Sequence, residues 1–564
     1  MNQRLKHEKI LETLWGVDIA KFPAHLSTIN LVINDLGTDK NYPNIIHENF
    51  FKLFVTPEGF EPPENWRKAR RVTLGGERKE LIYPRWFDVV VGNPPYTRQE
   101  EISETGVEKD KLIEDVLKSN KIISISKRAG IHTYFFVHGT KFLKEGGYFG
   151  FIVSNSWLDV DYGKGLQEFF LNNYKIIAII ESKVERWFED ADINTCIIIL
   201  QKCKDKNERE ANLVRFVYLK KPLRHFIPPA QDIWEKQVER MNVIDDLKKT
   251  ILGHNKFYEN KELRIFPKTQ KELWEEGFDH NEGKYLGSKW GKYIRAPEIF
   301  FKILEKGKLV SLAKFATFKG YIHDNNVKPN FPKTRIVMSS RGISKINVYK
   351  TDNCVEKYGV RKDGNSRLTA DLLIPRTFDD TFFVVNNIDG ILFKRFYKII
   401  LKGENKKLRE KICLILNSTL QILFWEFIGI SEGLGALNVY KNDFSLILIP
   451  SPNLLEFPPT ILRKFMERPI GNIFEEIGSN SPEDVSLDKV KPDRRELDKI
   501  IMGDILGLTE EEQLEVYRTV VDLVKSRIEK AKSVKKKNVK EGIDIDVLKN
   551  TIIEKIKEKN ENYR

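Results

Sequence analysis

The sequence is organised around a strand and a turn at residues 87–96, which are Phe87-Asp88-Val89-Val90-Val91-Gly92-Asn93-Pro94-Pro95-Tyr96. The continuous β-branched run before Asn93 predicts a strand that is buried on both faces of a parallel sheet. Two consecutive prolines cannot continue a central strand, so the chain must turn after Asn93 in a fixed, extended form. We therefore predict that Asn93 lies at the carboxyl end of a strand, where open α/β sheets bind their ligands.

Strand-like and helix-like segments alternate on both sides of this turn, over residues 1–204. Further short strands are predicted at residues 15–19, 44–47, 148–153, 176–180 and 194–201. A helix predicted at residues 132–143 ends at Gly146-Gly147. The alternation of strand and helix predicts a doubly wound, Rossmann-like α/β domain over residues 1–204.

Three further regions follow this domain. Residues 205–285 are charged and of mixed pattern, which is typical of a connector. Residues 286–455 are rich in aromatic residues and turns, and we predict that they form an α+β domain. Residues 456–564 are predicted to form a helical C-terminal region, because apolar residues recur there at helical spacing.

The composition is that of a globular protein with an excess of positive charge. The 564 residues carry a formal net charge of +13, with 41% hydrophobic and 31% charged residues. A polyanion is the simplest explanation of this excess, although a solvated Lys- and Glu-rich surface has the same composition. A basic cluster close to the turn could contact phosphates or could be a solvated charge run. It consists of Arg67, Lys68, Arg70 and Arg71.

Several kinds of site and location find no support in the sequence. The N-terminus lacks the apolar stretch of a signal peptide, and no apolar run reaches membrane-spanning length. The four cysteines are isolated, and the nine histidines form no metal-ligand pair with carboxylates. We therefore predict a cytoplasmic protein without disulfides, without a metal site and without a membrane partner.

The turn has the groups needed to orient an exocyclic amine. The Asn93 side-chain oxygen and the Pro94 carbonyl can each accept a hydrogen bond from one amine proton. These two bonds would aim the nitrogen lone pair at an electrophilic methyl group. Tyr96 supplies a flat face on which a base can stack. The competing interpretation is an ordinary proline-rich turn.

Asn93-Pro94-Pro95-Tyr96 and its surroundings resemble the catalytic motif of DNA methyltransferases that transfer a methyl group from S-adenosylmethionine to adenine N6. The order of elements is similar to the gamma class of type II restriction–modification systems, including the fused type IIG enzymes. By this resemblance Phe188 completes the catalytic set and stacks on a flipped adenine. Aromatic and helical segments after residue 286 resemble a target-recognition region that would bind double-stranded DNA.

The resemblance also implies a site for the cofactor S-adenosylmethionine. Asp18 and Ile19 fall at the strand whose acid binds the cofactor ribose hydroxyls. Asn49 and Phe50 fall beside the cofactor adenine, where the family usually has an acid and where Asn can accept from the adenine amine. Asn93 belongs to this cofactor-binding set as well.

One element of the family is missing from this sequence. The family has a first strand and a glycine-containing loop ahead of the acidic strand, but the 17 residues before Asp18 contain a single glycine, Gly16. We therefore expect a methyltransferase domain that is incomplete at its N-terminus. The expected partner is an upstream polypeptide that carries the glycine loop or a nuclease.

The expected function is site-specific methylation of adenine N6 in DNA, as part of a restriction–modification system. Two alternatives stay open. One is a truncated or split DNA-binding remnant that is inactive without its upstream partner. The other is a methyltransferase that acts on glutamine amides in proteins or on amines in RNA.

Overall fold

The computed structural model describes residues 7–33, 42–57, 59–73, 79–96, 116–117, 125–126, 129–159, 162–188, 193–228, 237–362, 368–431 and 435–535. By its internal contacts the chain divides into two units. The first unit is Met1–Ser182 with Asn194–Ile294, and the second is Lys183–Ile193 with Arg295–Arg564. The last part of the predicted helical region, residues 536–564, lies outside the described residues. The predicted division into four regions stays a prediction.

The first unit is built of strands and helices that alternate along the chain. Its strands are β1 (Trp15–Asp18), β2 (Asn44–His47), β3 (Lys68–Arg71), β4 (Lys79–Ile82), β5 (Phe87–Gly92), β6 (Leu143–Ser154), β7 (Tyr174–Ser182), β8 (Thr195–Lys202), β9 (Leu213–Leu219), β10 (Tyr258–Glu259), β11 (Leu263–Thr269), β12 (Phe278–Asp279) and β13 (Lys284–Tyr285). Its helices are α1 (His7–Thr13), α2 (Lys21–Val32), α3 (Ile131–Thr140), α4 (Gly163–Asn173), α5 (Lys206–Ala211), α6 (Leu223–Phe226), α7 (Gln237–Gly253), α8 (Gln270–Gly277) and α9 (Gly291–Arg295).

Two larger sheets contain all of these strands except β12 and β13, which pair with each other. A seven-stranded sheet has the order β10-β11-β9-β7-β8-β6-β5, and a four-stranded sheet has the order β1-β2-β3-β4. The pairs β1/β2, β5/β6 and β7/β9 are parallel, whereas β6/β8 and β7/β8 are antiparallel. Helix α2 connects β1 to β2, and α3 connects β5 to β6, as in a doubly wound arrangement. The predicted α/β fold class is confirmed.

The prediction that β5 is buried on both faces is wrong for this structure. Strand β5 ends the seven-stranded sheet, with β6 as its neighbour in the strand order. Val89 is 54% exposed and Val91 is 75% exposed. A run of β-branched residues indicates that a strand is suited to a buried position. Whether the faces of the strand are covered depends on the elements that pack beside it.

Strand β6 is longer than the sequence predicts. It begins at Leu143 and includes Gly146 and Gly147, which therefore do not mark the end of the preceding helix. Gly146 has φ of +76°, and a Cβ on Gly147 would lie 2.9 Å from the Asp88 backbone oxygen. The two glycines are needed for an irregular stretch of the β5/β6 ladder, where the register shifts between residues 87 and 89.

Aromatic side chains join β6 to the helices on one face of its sheet. Phe149 and Phe151 are buried, and their ring centroids lie 5.3 and 5.0 Å from that of Phe136 in α3. Phe170 in α4 contacts Phe136 edge-on at 4.9 Å. These rings form a core that fixes the position of the strands carrying the Asn93 turn.

The second unit combines small sheets with a helical core. A five-stranded sheet has, in spatial order, strands Ala316–Lys319, Phe396–Leu401, Leu372–Pro375, Val385–Asn387 and Asn347–Val348. One three-stranded sheet has, in spatial order, strands Val355–Gly359, Lys333–Val337 and Leu392–Phe393. A second three-stranded sheet has strands Thr377–Phe378, Leu437–Asn438 and Ile430–Ser431. Strand Leu309–Ser311 pairs with Leu448–Pro450 in a two-stranded sheet. The main helices are Glu298–Glu305, Arg409–Leu416, Thr419–Ile428, Pro459–Glu467, Ile473–Ile477, Pro492–Asp498, the π-helical Lys499–Ile505 and Glu510–Lys535.

The long helix of the second unit, Glu510–Lys535, packs Val516, Val520 and Val524 into the main hydrophobic cluster.

Within the described residues, no single helix is both long and apolar enough to cross a membrane. The bent pair Gly403–Leu416 and Thr419–Ile428 meets the length and composition criteria only when its two helices are taken together.

Candidate active site

The Asn93 turn follows directly from the carboxyl end of β5. Pro94 is buried, whereas Asn93 and Pro95 are exposed and Tyr96 is half-buried. Pro94 has no backbone N–H and a fixed φ, so its burial anchors the turn without leaving an unsatisfied donor. The Asn93 side chain is therefore held at the surface by a rigid backbone.

The Tyr96 hydroxyl ties the turn together. It donates a hydrogen bond to Asn93 Oδ1 at 2.6 Å, and it lies 3.4 Å from the backbone oxygen of Ile152 in the adjacent strand β6. Burial raises the pKa of Tyr96 to about 12, so the hydroxyl keeps its proton at neutral pH. An amide oxygen has two acceptor lone pairs, and this bond leaves one of them for a substrate proton.

A polar pair that the sequence analysis did not single out lies at the ends of β6 and β7. Asn155 Nδ2 donates to the buried carboxylate of Glu181 at 3.0 Å. The Asn155 backbone N–H donates to the Asn194 carbonyl, also at 3.0 Å. Polar residues at the carboxyl ends of apolar strands are the signal that could have identified this pair, since Asn155 directly follows β6 and Glu181 is the second-last residue of β7.

The predicted ribose-binding residues lie at the carboxyl end of β1. Asp18 Oδ1 accepts a hydrogen bond from the Ala20 backbone N–H at 2.7 Å. This bond fixes the carboxylate, whose second oxygen retains acceptor capacity for a diol. Ile19 is 55% exposed beside it and offers an apolar surface to a flat ring.

Asn49 and Phe50 follow the end of the neighbouring parallel strand, β2. Residues Asp18 and His47 are register partners, so the two predicted cofactor segments leave the same edge of the sheet. Asn49 Oδ1 accepts from the Phe51 backbone N–H at 3.0 Å and so caps a short 3-10 helix. The Phe50 ring stacks on Phe135 of α3 with centroids 5.5 Å apart. Asn49 is thus partly engaged within the protein, with one carbonyl lone pair remaining.

Phe188 and the Asn93 turn belong to different units of the chain. Phe188 lies in the segment Lys183–Ile193, which groups with the second unit. Lys183, in the same segment, donates to both carboxylate oxygens of Asp522 at 2.8 and 2.6 Å. Phe188 is half-buried, and its stacking role stays a prediction.

Two residues of the basic cluster stabilise the four-stranded sheet. Arg67 donates to the Tyr83 carbonyl at 2.6 Å, and Arg71 donates to the carbonyls of Pro43, at 3.1 Å, and Tyr42. Their guanidinium groups therefore act within the fold, and the suggested contact with phosphates stays a prediction. Among the described residues, no group of three or more His, Cys, Asp or Glu side chains is arranged to hold a metal ion.

Comparison with known proteins finds a family match for the N-terminal third of the chain. Residues 12–188 match the model of the family described as Eco57I restriction-modification methylase. The matched segment contains the ends of β1 and β2, the Asn93 turn and Phe188.

Individual relatives match over shorter stretches. The type II methyltransferase M.BstVI of Geobacillus stearothermophilus is 35% identical over 132 residues, which are 23% of this chain and 22% of the relative. The type II restriction enzyme and methyltransferase RM.Eco57I of Escherichia coli is 32% identical over 117 residues, which are 21% of this chain and 11% of the relative. The solved structure of the type IIG restriction endonuclease BpuSI aligns with 92% of this chain and 60% of its own, at 13% identity and a TM-score of 0.41. The matches to the two relatives thus span under a quarter of each relative's length.

Proposed function

We propose, from the match of residues 12–188 to the model of the Eco57I restriction-modification methylase family, that the chain positions adenine for methylation at N6 in double-stranded DNA. The main support for this proposal is the Asn93 turn. Asn93 is exposed at the end of β5, and its Oδ1 accepts a hydrogen bond from the Tyr96 hydroxyl at 2.6 Å. A pre-oriented amide oxygen beside a backbone carbonyl suits a group that carries two amine protons.

The proposed chemistry is mainly one of positioning. Adenine leaves the duplex stack, at a cost of a few kcal/mol, because its amine is unreachable inside the helix. Stacking on an aromatic side chain such as Tyr96 offsets about 1–3 kcal/mol of that cost. The free lone pair of Asn93 Oδ1 and the Pro94 carbonyl then accept the two amine protons, which directs the nitrogen lone pair away from the turn.

We propose S-adenosylmethionine as the cofactor, because the residues at the ends of β1 and β2 fit its adenosine part. The fixed carboxylate of Asp18 would accept from the ribose hydroxyls, and the exposed Ile19 would pack on the adenine. Asn49 retains one acceptor for the adenine amine. When bound, S-adenosylmethionine supplies the electrophilic methyl group. A glycine loop for its methionine part is proposed to come from an accompanying polypeptide segment.

We propose that the second unit binds DNA through a basic sheet face. Arg335 and Lys357 are register partners on adjacent antiparallel strands, and both are exposed. Lys333 lies two residues before Arg335 and so shares its face. Like charges directly opposite each other destabilise a sheet, so this arrangement favours an anionic ligand such as the phosphate backbone.

The test is methyl transfer from labelled S-adenosylmethionine to duplex DNA, followed by nucleoside analysis of the product. Label recovered as N6-methyladenine supports the proposal, and Asn93→Ala should abolish it while DNA binding persists. Asn281→Ala, at an exposed asparagine of the first unit, is the matched control. Label in cytosine, in RNA or in glutamine amides of a protein would contradict the proposal.

A chain that gives no product by itself is examined by equilibrium dialysis with labelled S-adenosylmethionine. Binding that Asp18→Asn weakens would retain the proposed cofactor site. An absence of binding by the isolated chain would favour the DNA-binding remnant, and recovery of activity with an upstream polypeptide would identify a split enzyme.

A further inference from the structure

Three segments of the second unit meet at Arg376, the residue that directly follows strand Leu372–Pro375. The Arg376 backbone N–H donates to the Arg395 carbonyl at 3.2 Å, and the Arg376 carbonyl accepts from the Val439 backbone N–H at 3.0 Å. Both backbone groups of Arg376 are therefore satisfied, and its backbone is fixed from two sides. The Arg376 side chain thus extends from a rigid point of the fold.

An aromatic ring orients the Arg376 guanidinium. Arg376 Nη1 donates to the Tyr321 hydroxyl at 3.3 Å, and Arg376 Cζ lies 5.6 Å from the centroid of the Tyr321 ring. Tyr321 in turn packs edge-on against the buried ring of Tyr397, with centroids 5.3 Å apart. A guanidinium that rests on a fixed ring keeps its planar set of donors in one orientation.

The Arg376 guanidinium retains donors for a ligand. Arg376 is half-buried, and among the described residues it forms no ion pair with a carboxylate. Tyr321 accepts from one of its N–H groups, and a guanidinium has several more. Because partial burial of an unpaired charge is unfavourable, the Arg376 side chain favours an acceptor that comes from outside the protein.

The cations next to Arg376 already have an acidic partner. Arg395 Nη2 donates to Asp324 Oδ2 at 2.9 Å, and Lys394 Nζ lies 3.0 Å from Asp324 Oδ1. The hydrogen bonds from Arg395 and Lys394 lower the pKa of Asp324 to about 2, so its carboxylate is charged at neutral pH. Asp324 therefore neutralises part of the charge of Arg395 and Lys394, whereas the charge of Arg376 stays available.

The backbone that holds Arg376 is strained at Arg395. Its φ is +61°, and among the described residues it is the one non-glycine residue with a positive φ. Arg395 lies between strands Leu392–Phe393 and Phe396–Leu401, which belong to different sheets. Such strain persists where the surrounding structure enforces it, and it clusters at ligand-binding sites. The strain at Arg395 therefore supports a binding role for the surface around Arg376.

We propose that Arg376 hydrogen-bonds a guanine base in the DNA site of this protein, a role that rests on the proposed binding of double-stranded DNA by the second unit. A guanidinium presents two parallel N–H donors, and the major-groove edge of guanine presents two acceptors, O6 and N7, that match them. Adenine presents one donor and one acceptor at this edge. Arg376 would thus distinguish guanine from adenine at one position of the site.

A phosphate group offers the same pair of acceptors, but it does not require an oriented donor. Phosphate contacts position a protein on the duplex without base preference, and exposed cations such as Arg335 and Lys357 suit that task. Arg376 differs from them because its backbone is fixed and its guanidinium rests on Tyr321. Orientation matters for a base edge, whose acceptors lie in the plane of a stacked base pair.

The experiment selects duplexes that bind the full chain from a library of random sequence and identifies them by sequencing. Wild type should enrich a site with guanine at a fixed position. Arg376→Ala should lower the preference for guanine at that one position roughly 10-fold and leave the other positions unchanged. Arg376→Gln should shift the preference at the same position towards adenine, because a carboxamide matches N6 and N7 of adenine.

Two further arginine variants serve as controls. Arg463→Ala, at an exposed arginine of helix Pro459–Glu467, should leave every position and the overall affinity unchanged. Arg335→Ala should weaken binding to all sequences alike and reduce the salt dependence of the affinity, as expected for a phosphate contact. A variant that unfolds loses the preference at all positions together, so a loss at one position separates base contact from misfolding.

Tyr321 is a positioning residue in this proposal, because it acts on the base through Arg376. Tyr321→Leu should lower the same guanine preference about 3-fold, since the guanidinium loses the ring on which it rests. Tyr321→Phe, which retains the ring, should restore most of that preference. A purely structural role of Tyr321 would change the affinity for all sequences and not the preference at a single position.

The outcomes of the selection are distinct. An unchanged guanine preference in Arg376→Ala would overturn the inference, as would enrichment of no sequence by wild type. A uniform loss of affinity in Arg376→Ala would also overturn it and would assign Arg376 to a phosphate. Because the selection measures binding, a failure of methyl transfer to adenine would contradict the proposed function without changing the result for Arg376.

Discussion

The hydroxyl of Tyr96 donates to the side-chain oxygen of Asn93 across 2.6 Å, within a turn whose first proline is buried. This bond selects one orientation of an exposed carboxamide, which would otherwise rotate in solvent. The turn is thereby pre-organised for an amine before any substrate arrives.

Removing that hydroxyl tests whether the bond matters for catalysis. We expect Tyr96→Phe to lower kcat for methyl transfer roughly 3- to 10-fold, the value of one hydrogen bond, with little change in KM because the ring is retained. Tyr258→Phe, at a tyrosine near the far edge of the same sheet, should have no effect on kcat. An equal loss in both variants would indicate a general effect on folding.

The protonation of Tyr96 gives a second test. Burial raises its pKa to about 12 from the ordinary value of 10, so its bond to Asn93 is fully present below about pH 10 and is lost as the pH rises through about 12. The tyrosinate absorbance of wild type minus that of Tyr96→Phe should therefore show a single group that titrates near pH 12. A difference curve centred near pH 10 would contradict the buried environment.

The stability of the first unit should depend on pH through two buried histidines. Burial lowers the pKa of His132 and of His138 to about 4 from 6.5, and His138 Nε2 lies 3.0 Å from the Phe50 carbonyl. Their stabilising effect is complete above about pH 6.5 and is lost as the pH falls towards 4, by at most about 3 kcal/mol for each histidine.

Thermal unfolding at several pH values measures this loss. His138→Gln, which keeps a donor but cannot be protonated, should retain about half of the stability that wild type loses on acidification. His280→Gln, at an exposed histidine whose side chain is 72% accessible, should behave like wild type. Identical acid profiles for all three proteins would rule out this origin of the pH dependence.

The core of the second unit contains a buried ion pair whose disruption should be costly. Arg527 Nη2 lies 2.9 Å from Glu426 Oε1, and the two side chains are 5% and 4% exposed. Glu426→Gln should lower the free energy of unfolding by about 3 kcal/mol, because the Arg527 charge then stays buried without its counter-ion. Glu404→Gln, at a carboxylate that is 95% exposed, should change it by less than about 0.5 kcal/mol in the same urea titration.

We predict that Phe188 makes a second aromatic contact with the flipped base. Phe188→Ala should weaken extrusion of the target base by about 1–3 kcal/mol, the value of one base–aromatic stacking contact. The fluorescence of an adenine analogue at the target position reports the unstacked population directly. Phe188→Trp, which preserves a flat ring, should restore that signal, and an unchanged signal in Phe188→Ala would remove Phe188 from the site.

Local chemistry accounts for what the sequence predicted correctly. The prolines after Asn93 forced a turn at the end of a strand, and the alternation of strand and helix identified the α/β class. The polar pair Asn155 and Glu181 was overlooked, because its two residues are 26 positions apart and meet only when β6 and β7 join one sheet. The carbonyl partners of Arg67 and Arg71 were overlooked for the same reason, since they lie up to 29 residues away in the chain.

The sequence by itself determined that residues 87–92 would form a strand and that Asn93 would follow it in a rigid turn, because φ restrictions and β-branching act within a few residues. Only the tertiary structure decided that β5 lies at a sheet edge, with Val91 75% exposed. The same β-branched run suits a central strand and an edge strand. Which of the two it is depends on the segments that pack beside it, and that contact is made in three dimensions.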